Sequence, residues 1–339
     1  MDFRSDNTTS VAPAIMAALN AVNTGYQSSY GADDYSALVC KKVAQIFEHE
    51  VEIYFVATGT AANALALSSM VGSGGIIYCH EQAHINTDES GAPSYFSHCV
   101  LHPVKGAQAK IDTQEIEQHI KYVQKLRPHA SMPRGISISQ STEYGTAYSL
   151  QELEAIKKLI NSYNLYLHMD GARFTNALVA LGCSPAEMTW KSGVDVLSFG
   201  ATKNGAMLAE MIVFFNKDLA KDFDYSIKRA GQLMSKERFI AAQFLAYFEN
   251  DLWLHSARHA NAMALVLMSC FERANIKVLH TAVCNEIFVE MSCEAAQRLQ
   301  DKGAQFYHWH DNVYRFVTSF VTTQEEIQAF NSILLNKGT

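Results

Sequence analysis

Three short stretches carry the residue types from which a catalytic site can be built. The first, Thr58-Gly59-Thr60-Ala61-Ala62-Asn63, follows the apolar run Ile53–Val56 and opens a helical pattern that lasts to Met70. Unpaired N–H groups at a helix N-terminus, together with the helix dipole, favour a phosphate, and Gly59 lets the backbone approach it closely. The second, His168-Met169-Asp170-Gly171-Ala172-Arg173, puts a carboxylate at the end of the apolar run Leu165–Met169. Such a carboxylate has to be paired, because an isolated buried charge is very costly, and an Asp170–Arg173 ion pair is the simplest solution. The third, Ser198-Phe199-Gly200-Ala201-Thr202-Lys203-Asn204-Gly205, holds a lysine between the apolar runs Val194–Phe199 and Glu210–Phe215. Burial disfavours the charged form of an amine, and the neutral amine is the nucleophile that condenses with a carbonyl.

Taken singly, each stretch has an ordinary structural explanation: helix-entry residues, an ion pair, a solvated turn lysine. Together they say more. Lys203 follows Asp170 by 203 − 170 = 33 residues, a spacing that suits one strand–helix–strand unit and brings both side chains to neighbouring strand ends. In α/β sheets that is where ligands gather. A phosphate site, an acid and a lysine are the parts needed to hold pyridoxal 5'-phosphate, with the acid keeping the pyridine nitrogen protonated and Lys203 forming the Schiff base.

The elements that must position these residues are short apolar runs alternating with longer helical patterns. Beyond the runs already named, Gly75–Cys79 and Gly135–Ser139 read as strands. The segment 149–160 reads as an amphipathic helix opened by a capping box, Ser149 with Glu152. This order predicts an α/β fold with a mainly parallel sheet covered by helices on both faces. After about Lys236 the character changes. Phe239 to Ala274 is almost continuously helical in pattern, broken at Asn250-Asp251, and is followed by strands at Glu286–Glu290 and Val313–Val317. The expected organisation is a large cofactor-binding domain, residues 1–240, and a smaller C-terminal α/β domain, residues 241–339, with the N-terminal segment packing against the latter.

Composition narrows the function classes. Of 339 residues 48% are hydrophobic and 18% charged, which argues against a disordered or coiled-coil chain. The formal charge, 27 − 34 = −7, argues against a general nucleic-acid binder. Ile53 to Cys79 lacks charged residues, yet Thr58, Asn63, Gly72, Ser73, Gly74 and Gly75 make it too polar and glycine-broken to span a bilayer. The first six residues have no apolar core, and seven scattered cysteines form no Cys-x-x-Cys, so reduced thiols packed in the core of a cytoplasmic protein are expected. His80-Glu81-Gln82-Ala83-His84 matches the zinc-protease pattern His-Glu-x-x-His, but a strand runs straight into His80 and no third ligand follows. No metal site is expected.

The residues also carry a resemblance. Arg4-Ser5-Asp6-Asn7-Thr8, Tyr30-Gly31-Ala32-Asp33-Asp34, the Thr58–Asn63 stretch, His84, the His168–Arg173 stretch, Lys203 and Arg315 follow one another as in the L-threonine aldolases. The chain is most similar to the low-specificity members, fold-type-I pyridoxal-phosphate enzymes of the β-eliminating lyase group, over essentially its whole length. The resemblance implies a transferase-like fold and retro-aldol cleavage of L-threonine and L-allo-threonine to glycine and acetaldehyde. It implies that Lys203 carries the cofactor, Asp170 faces its ring nitrogen, Gly59 and Thr60 cradle its phosphate, and His84 stacks on its ring. Thr202 and Arg173 fall among the cofactor-binding residues; Ser5, Arg173 and Arg315 surround the substrate carboxylate. The Tyr30-Gly31 region is expected to reach a neighbouring subunit's site, in a homodimer or homotetramer.

Two departures leave choices open. Where many members have Thr-His-Asn-Gly, this chain has Thr142-Glu143-Tyr144-Gly145, so the base for the β-hydroxyl is His84 first and Glu143 second. Where many have an arginine after methionine, it has Met234-Ser235-Lys236, and Lys228, Arg229 or Lys236 would take over a phosphate contact. A related lyase or racemase acting on a bulkier β-hydroxy amino acid such as phenylserine stays open, as does a non-catalytic binder of the same cofactor.

Overall fold

The computed structural model describes residues 1–72 and 74–335; Ser73, from the charge-free stretch, and residues 336–339, at the end of the expected C-terminal domain, lie outside the described residues. Strands β1 (Glu52–Val56), β2 (Ile76–His80), β3 (Val100–Val104), β4 (Pro133–Ser139), β5 (Tyr166–Gly171), β6 (Val196–Gly200) and β7 (Glu210–Phe214) form one sheet in the order β1-β7-β6-β5-β4-β2-β3. The pairs β2–β3, β2–β4, β4–β5 and β5–β6 are parallel, whereas β7 runs antiparallel to both β1 and β6. The mainly parallel sheet expected from the sequence is thus present, with one strand reversed. β2, β6 and β7 are buried at every residue, which is why they read as unbroken apolar runs rather than alternating ones. β3 is an addition to the expected strands. It lies at the sheet edge, where His102 and Pro103 are tolerated because only one side needs a hydrogen-bonding partner.

Reversal of β7 has a local consequence. Its first residue, Glu210, pairs with Gly200 and Val56, the last residues of β6 and β1. A carboxylate therefore joins the same end of the sheet as Asp170 and Lys203.

The smaller sheet is antiparallel throughout: β8 (Lys277–Val278), β9 (Glu286–Glu290), β10 (Tyr307–His310) and β11 (Val313–Val317), in the order β10-β11-β9-β8. His308-Trp309-His310 belongs to its edge strand β10. Helices Arg238–Phe248 and Leu252–Arg273 meet at a break where Asn250 and Asp251 take φ of 49° and 54°, a conformation their short polar side chains tolerate. The second helix packs on the large sheet's helix Phe174–Leu181, with Asn176 and Asn261 exchanging hydrogen bonds of 3.0 and 2.9 Å. The N-terminal segment runs along the smaller sheet. Phe3 donates to Gln305 and accepts from Val317, at 2.7 and 2.8 Å, and its ring joins Phe316 and Phe330 in the core of the smaller sheet.

The Ser149–Glu152 capping box forms reciprocally, at 2.7 and 3.2 Å, a motif whose loss costs about 1 kcal/mol. Cys79, Cys99, Cys270 and Cys284 are buried, but Cys293 is exposed, so the expectation of core thiols does not extend to all seven. No helix among the described residues is long and apolar enough to cross a membrane.

Candidate active site

One cavity of about 320 Å³ opens at the carboxyl end of the large sheet. It is lined by Gly59, Thr60, His84, Glu143, Asp170, Arg173, Thr202 and Lys203, which brings eight of the eleven expected residues together. Ser5, Arg315 and Tyr30 are not among its lining.

At the end of β1, Thr58 caps the helix Gly59–Met70, its hydroxyl accepting from the Ala61 N–H at 3.1 Å. Helix geometry leaves the Gly59 and Thr60 amides without an intrahelical acceptor, and they are free to face an anion in the cavity. A methyl group added at Gly59 would meet nothing within 4 Å, so the approach to those amides is open.

At the end of β5, Asp170 is 6% exposed. Its Oδ1 accepts from the Ala172 N–H at 2.9 Å and its Oδ2 from Asn63 Nδ2 at 2.8 Å. Beneath it His168 is held between the Ser137 and Ser198 hydroxyls, and burial pushes its pKa down to about 4. The Asp170–Arg173 ion pair, the purely structural explanation of this stretch, does not form. Arg173 turns away, to Asp6 with two bonds of 2.7 and 3.0 Å and to Glu286 at 2.8 Å. Burial opposes the guanidinium's charge, but Asp6 and Glu286 outweigh it and hold Arg173 above its ordinary pKa. Burial likewise raises the pKa of Asp6, and Arg173 reverses the shift to a lowered value. Arg315 lies just beyond, 3.8 Å from the other Glu286 oxygen, with its guanidinium carbon 5.3 Å from the centres of both the Tyr307 and Trp309 rings. Ser5 accepts from the Asn7 N–H at 3.2 Å.

Lys203 sits in a turn after β6, in the short helix Thr202–Asn204. That turn is rigidly fastened. Asn204 donates to the Tyr247 hydroxyl at 2.7 Å and the Trp253 carbonyl at 2.9 Å, and Ala201 donates to the Ala209 carbonyl at 3.1 Å. Among the described residues Lys203 has no ion-pair partner. Glu210 lies beside it in the cavity lining. Burial pushes the Glu210 pKa up to about 7 against the opposing pull of Thr202 and Lys203. Gly200 is required here, since an added Cβ would lie 2.7 Å from the Ala172 carbonyl.

The loop after β4 carries Glu143. Gln140 clamps its base, accepting from the Tyr148 N–H and donating to the Tyr148 carbonyl, both at 2.9 Å. At Gly145, φ is +70° and an added Cβ would lie 2.3 Å from the Glu286 carbonyl, so only glycine lets the loop meet the smaller sheet. Glu143 Oε1 accepts from the His84 N–H at 3.1 Å and from the Ser139 hydroxyl, while Oε2 is buried without a partner. Burial pushes the Glu143 pKa up to about 7. His84 Nδ1 lies 2.7 Å from Glu89 Oε1, and that hydrogen bond raises the imidazole pKa despite burial.

Tyr30 is 51% exposed, away from the cavity, with the Lys228 ammonium 5.1 Å from its ring centre. Lys228, Arg229 and Lys236 do not line the cavity either. Conversely, Glu89 and Glu210, which no motif singled out, and Asn63, which had no role within its stretch, are all buried and all line it.

The chain is similar to known proteins in sequence and in fold. The family model of the beta-eliminating lyases matches residues 2–294. A low specificity L-threonine aldolase from Pseudomonas sp. (strain NCIMB 10558) is 40% identical, over 96% of this chain and 94% of that relative. The structure of a Leishmania major threonine aldolase superposes with a TM-score of 0.92 at 26% identity, covering 98% of both chains. An aspartate aminotransferase from Thermotoga maritima, at 11% identity, shares the fold alone, with a TM-score of 0.75 over 99% of this chain and 91% of that one.

Proposed function

The chain belongs to the beta-eliminating lyase family, and from that premise we propose that it is a pyridoxal-phosphate-dependent aldehyde-lyase, cleaving L-threonine and L-allo-threonine to glycine and acetaldehyde. The observation that carries this reading is the meeting, in one cavity, of a lysine without an ion-pair partner, a buried acid and an open helix N-terminus. The residues fit the cofactor. The Gly59 and Thr60 amides suit its phosphate, Asp170 its ring nitrogen, Lys203 its aldehyde, with Thr202 alongside and His84 against the ring. Bound there, pyridoxal phosphate supplies an aldehyde that captures the substrate amine and a cationic ring that accepts the electron pair of the broken Cα–Cβ bond.

The protein's own groups do the rest. Arg173 and Arg315 flank Glu286, and with Ser5 they orient the substrate carboxylate. Fixing that end decides which Cα bond is held for cleavage, and positioning of this kind supplies ~7–11 kcal/mol of a barrier. Glu143 Oε2 takes the proton from the β-hydroxyl, which reverses the order of preference given by the sequence. A carboxyl titrating near 7 is matched to that task, whereas His84, bonded to Glu89, holds its proton more tightly than a free imidazole.

A homodimer or homotetramer is part of this proposal. Met16, Tyr26, Tyr30, Met207 and Leu208 are exposed apolar side chains on one chain, and Tyr30 with Lys228 would complete a neighbour's site. A cytoplasmic location belongs to the proposal too, supported by the scattered cysteines, which are free thiols.

The deciding assay incubates the cofactor-loaded protein with L-threonine, L-allo-threonine, L-phenylserine, L-serine and L-alanine. Equal yields of acetaldehyde and glycine from the two threonines are expected; ammonia or a D-amino acid as the main product would overturn the reading. Arg315→Ala should raise KM for L-threonine about 10- to 150-fold, the ~1.5–3 kcal/mol of a charged hydrogen bond. Cofactor affinity should hold, and equal loss of both would remove Arg315 from the carboxylate site.

A further inference from the structure

Glu89 takes no part in the steps above, yet it is one of the best-protected carboxylates of the cavity. It lies between the short helices His84–Thr87 and Ala92–Ser97, lines the cavity, and is 4% exposed. Its Oε1 is 2.7 Å from His84 Nδ1 and 2.8 Å from Asn63 Nδ2. The same Asn63 nitrogen is 2.8 Å from Asp170 Oδ2. An amide nitrogen has two hydrogens, so Asn63 spends one on each carboxylate, and this fixes which way its amide is turned. The result is a continuous chain from His84 through Glu89 and Asn63 to Asp170, crossing three elements of the fold.

Charge explains why such a chain matters. Two carboxylates bridged by one neutral amide repel each other, and a buried carboxylate without a counter-charge is strongly disfavoured. Glu89 makes no salt bridge among the described residues except with His84. We propose that Glu89 is a positioning residue: it fixes the His84 ring with a proton on Nδ1 and, through Asn63, makes His84 sense the charge on Asp170. Glu89 and His84 then share one proton, held on the imidazole.

The groups facing His84 agree on the sign. The Glu89 hydrogen bond raises its pKa most and burial lowers it; Asp170 and Glu89 charges add, and Lys203 opposes. Glu143 accepts the His84 backbone N–H, at 3.1 Å. Burial also raises the Glu89 pKa, with His84 and Asn63 pulling it down and Asp170 pushing it up. With Nδ1 occupied, Nε2 carries the second proton of the imidazolium and serves the cavity as a donor. The role rests on the lyase reading; the proton sharing rests on the geometry alone.

The experiment is an NMR titration of ¹³C-histidine-labelled, cofactor-loaded full-length protein, with the His84 signal assigned by its loss in His84→Asn. In the wild type the His84 midpoint should lie above an ordinary histidine's, about 6.5. Glu89→Gln keeps the shape and an acceptor for Asn63 while removing the charge. It should move the midpoint down by about one pH unit or more, with the visible absorbance retained. A wild-type midpoint at or below the ordinary value, which needs no variant to fold, would overturn the proposal. So would an unmoved midpoint in Glu89→Gln that keeps wild-type absorbance. Because no turnover is read, failure of the aldolase assay leaves this result standing, and the reverse also holds.

Discussion

Lys203→Ala is expected to leave a folded, colourless protein. Turnover should fall by roughly 10⁴–10⁶-fold, the scale of removing the nucleophile that defines a site. The fold should tolerate the change. The turn carrying Lys203 is held by Asn204 on Tyr247 and Trp253 and by the Ala201–Ala209 backbone bond, none of which involves the lysine side chain. The ammonium has no ion-pair partner among the described residues. Its removal should therefore change stability by no more than about 0.5–1 kcal/mol. Loss of the visible imine absorbance, at a melting temperature unchanged from that of the cofactor-free wild type, would isolate the covalent role. Borohydride treatment of the wild type should fix the cofactor's mass on the peptide containing residue 203. A variant that kept both colour and turnover would refute the assignment.

Lys203, Asp170 and the Thr58–Asn63 stretch were legible because each follows an apolar run directly. After a buried strand of the parallel set, the next residue is at the ligand-binding end whatever the strand order. Strand order and direction left no such trace. An apolar run reads the same in both directions, so the reversal of β7 was invisible, and with it the reason Glu210 enters the cavity. A signal existed nonetheless. Glu210 and Glu286 are buried carboxylates that each begin a largely buried strand, and a charge in that position has to be paired or put to use. Asn63 closes the Thr58–Asn63 stretch without a role of its own; a lone amide in a helix buried on most sides carries the same message. Taken alone, the His168–Arg173 stretch offers Asp170 as the partner of Arg173, but the partners of Arg173, Asp6 and Glu286, lie 167 and 113 residues away. Local spacing finds groups that share an element and misses those joined only by tertiary packing.

Glu143→Gln should separate activity from stability in opposite directions. The substitution preserves the fixed half of the side chain, since an amide oxygen can still accept from the His84 N–H and the Ser139 hydroxyl. It replaces the unpartnered Oε2 by an NH₂ group that cannot take a proton. Loss of a general base lowers kcat by ~10²–10⁴-fold, with KM little changed. In the wild type the active form is the carboxylate, so kcat should fall as pH drops through about 7, and Glu143→Gln should lack that limb. Retention of the limb there, with its loss in His84→Asn, would return the role of base to His84.

The stability effect has the other sign. Burial raises the folded-state pKa from an ordinary 4.5 to about 7, so the folded protein holds a proton that the unfolded chain releases between those values. Stability falls as pH rises through that window, and above 7 the cost of the buried charge reaches up to about 3 kcal/mol. The glutamine never bears this cost. Its melting temperature should match the wild type near pH 4 and exceed it at pH 8, while the wild type alone turns over threonine. A variant no more stable at pH 8 than the wild type would mean that Glu143 is not held as a strained, buried acid, and its fitness as the base would go with it.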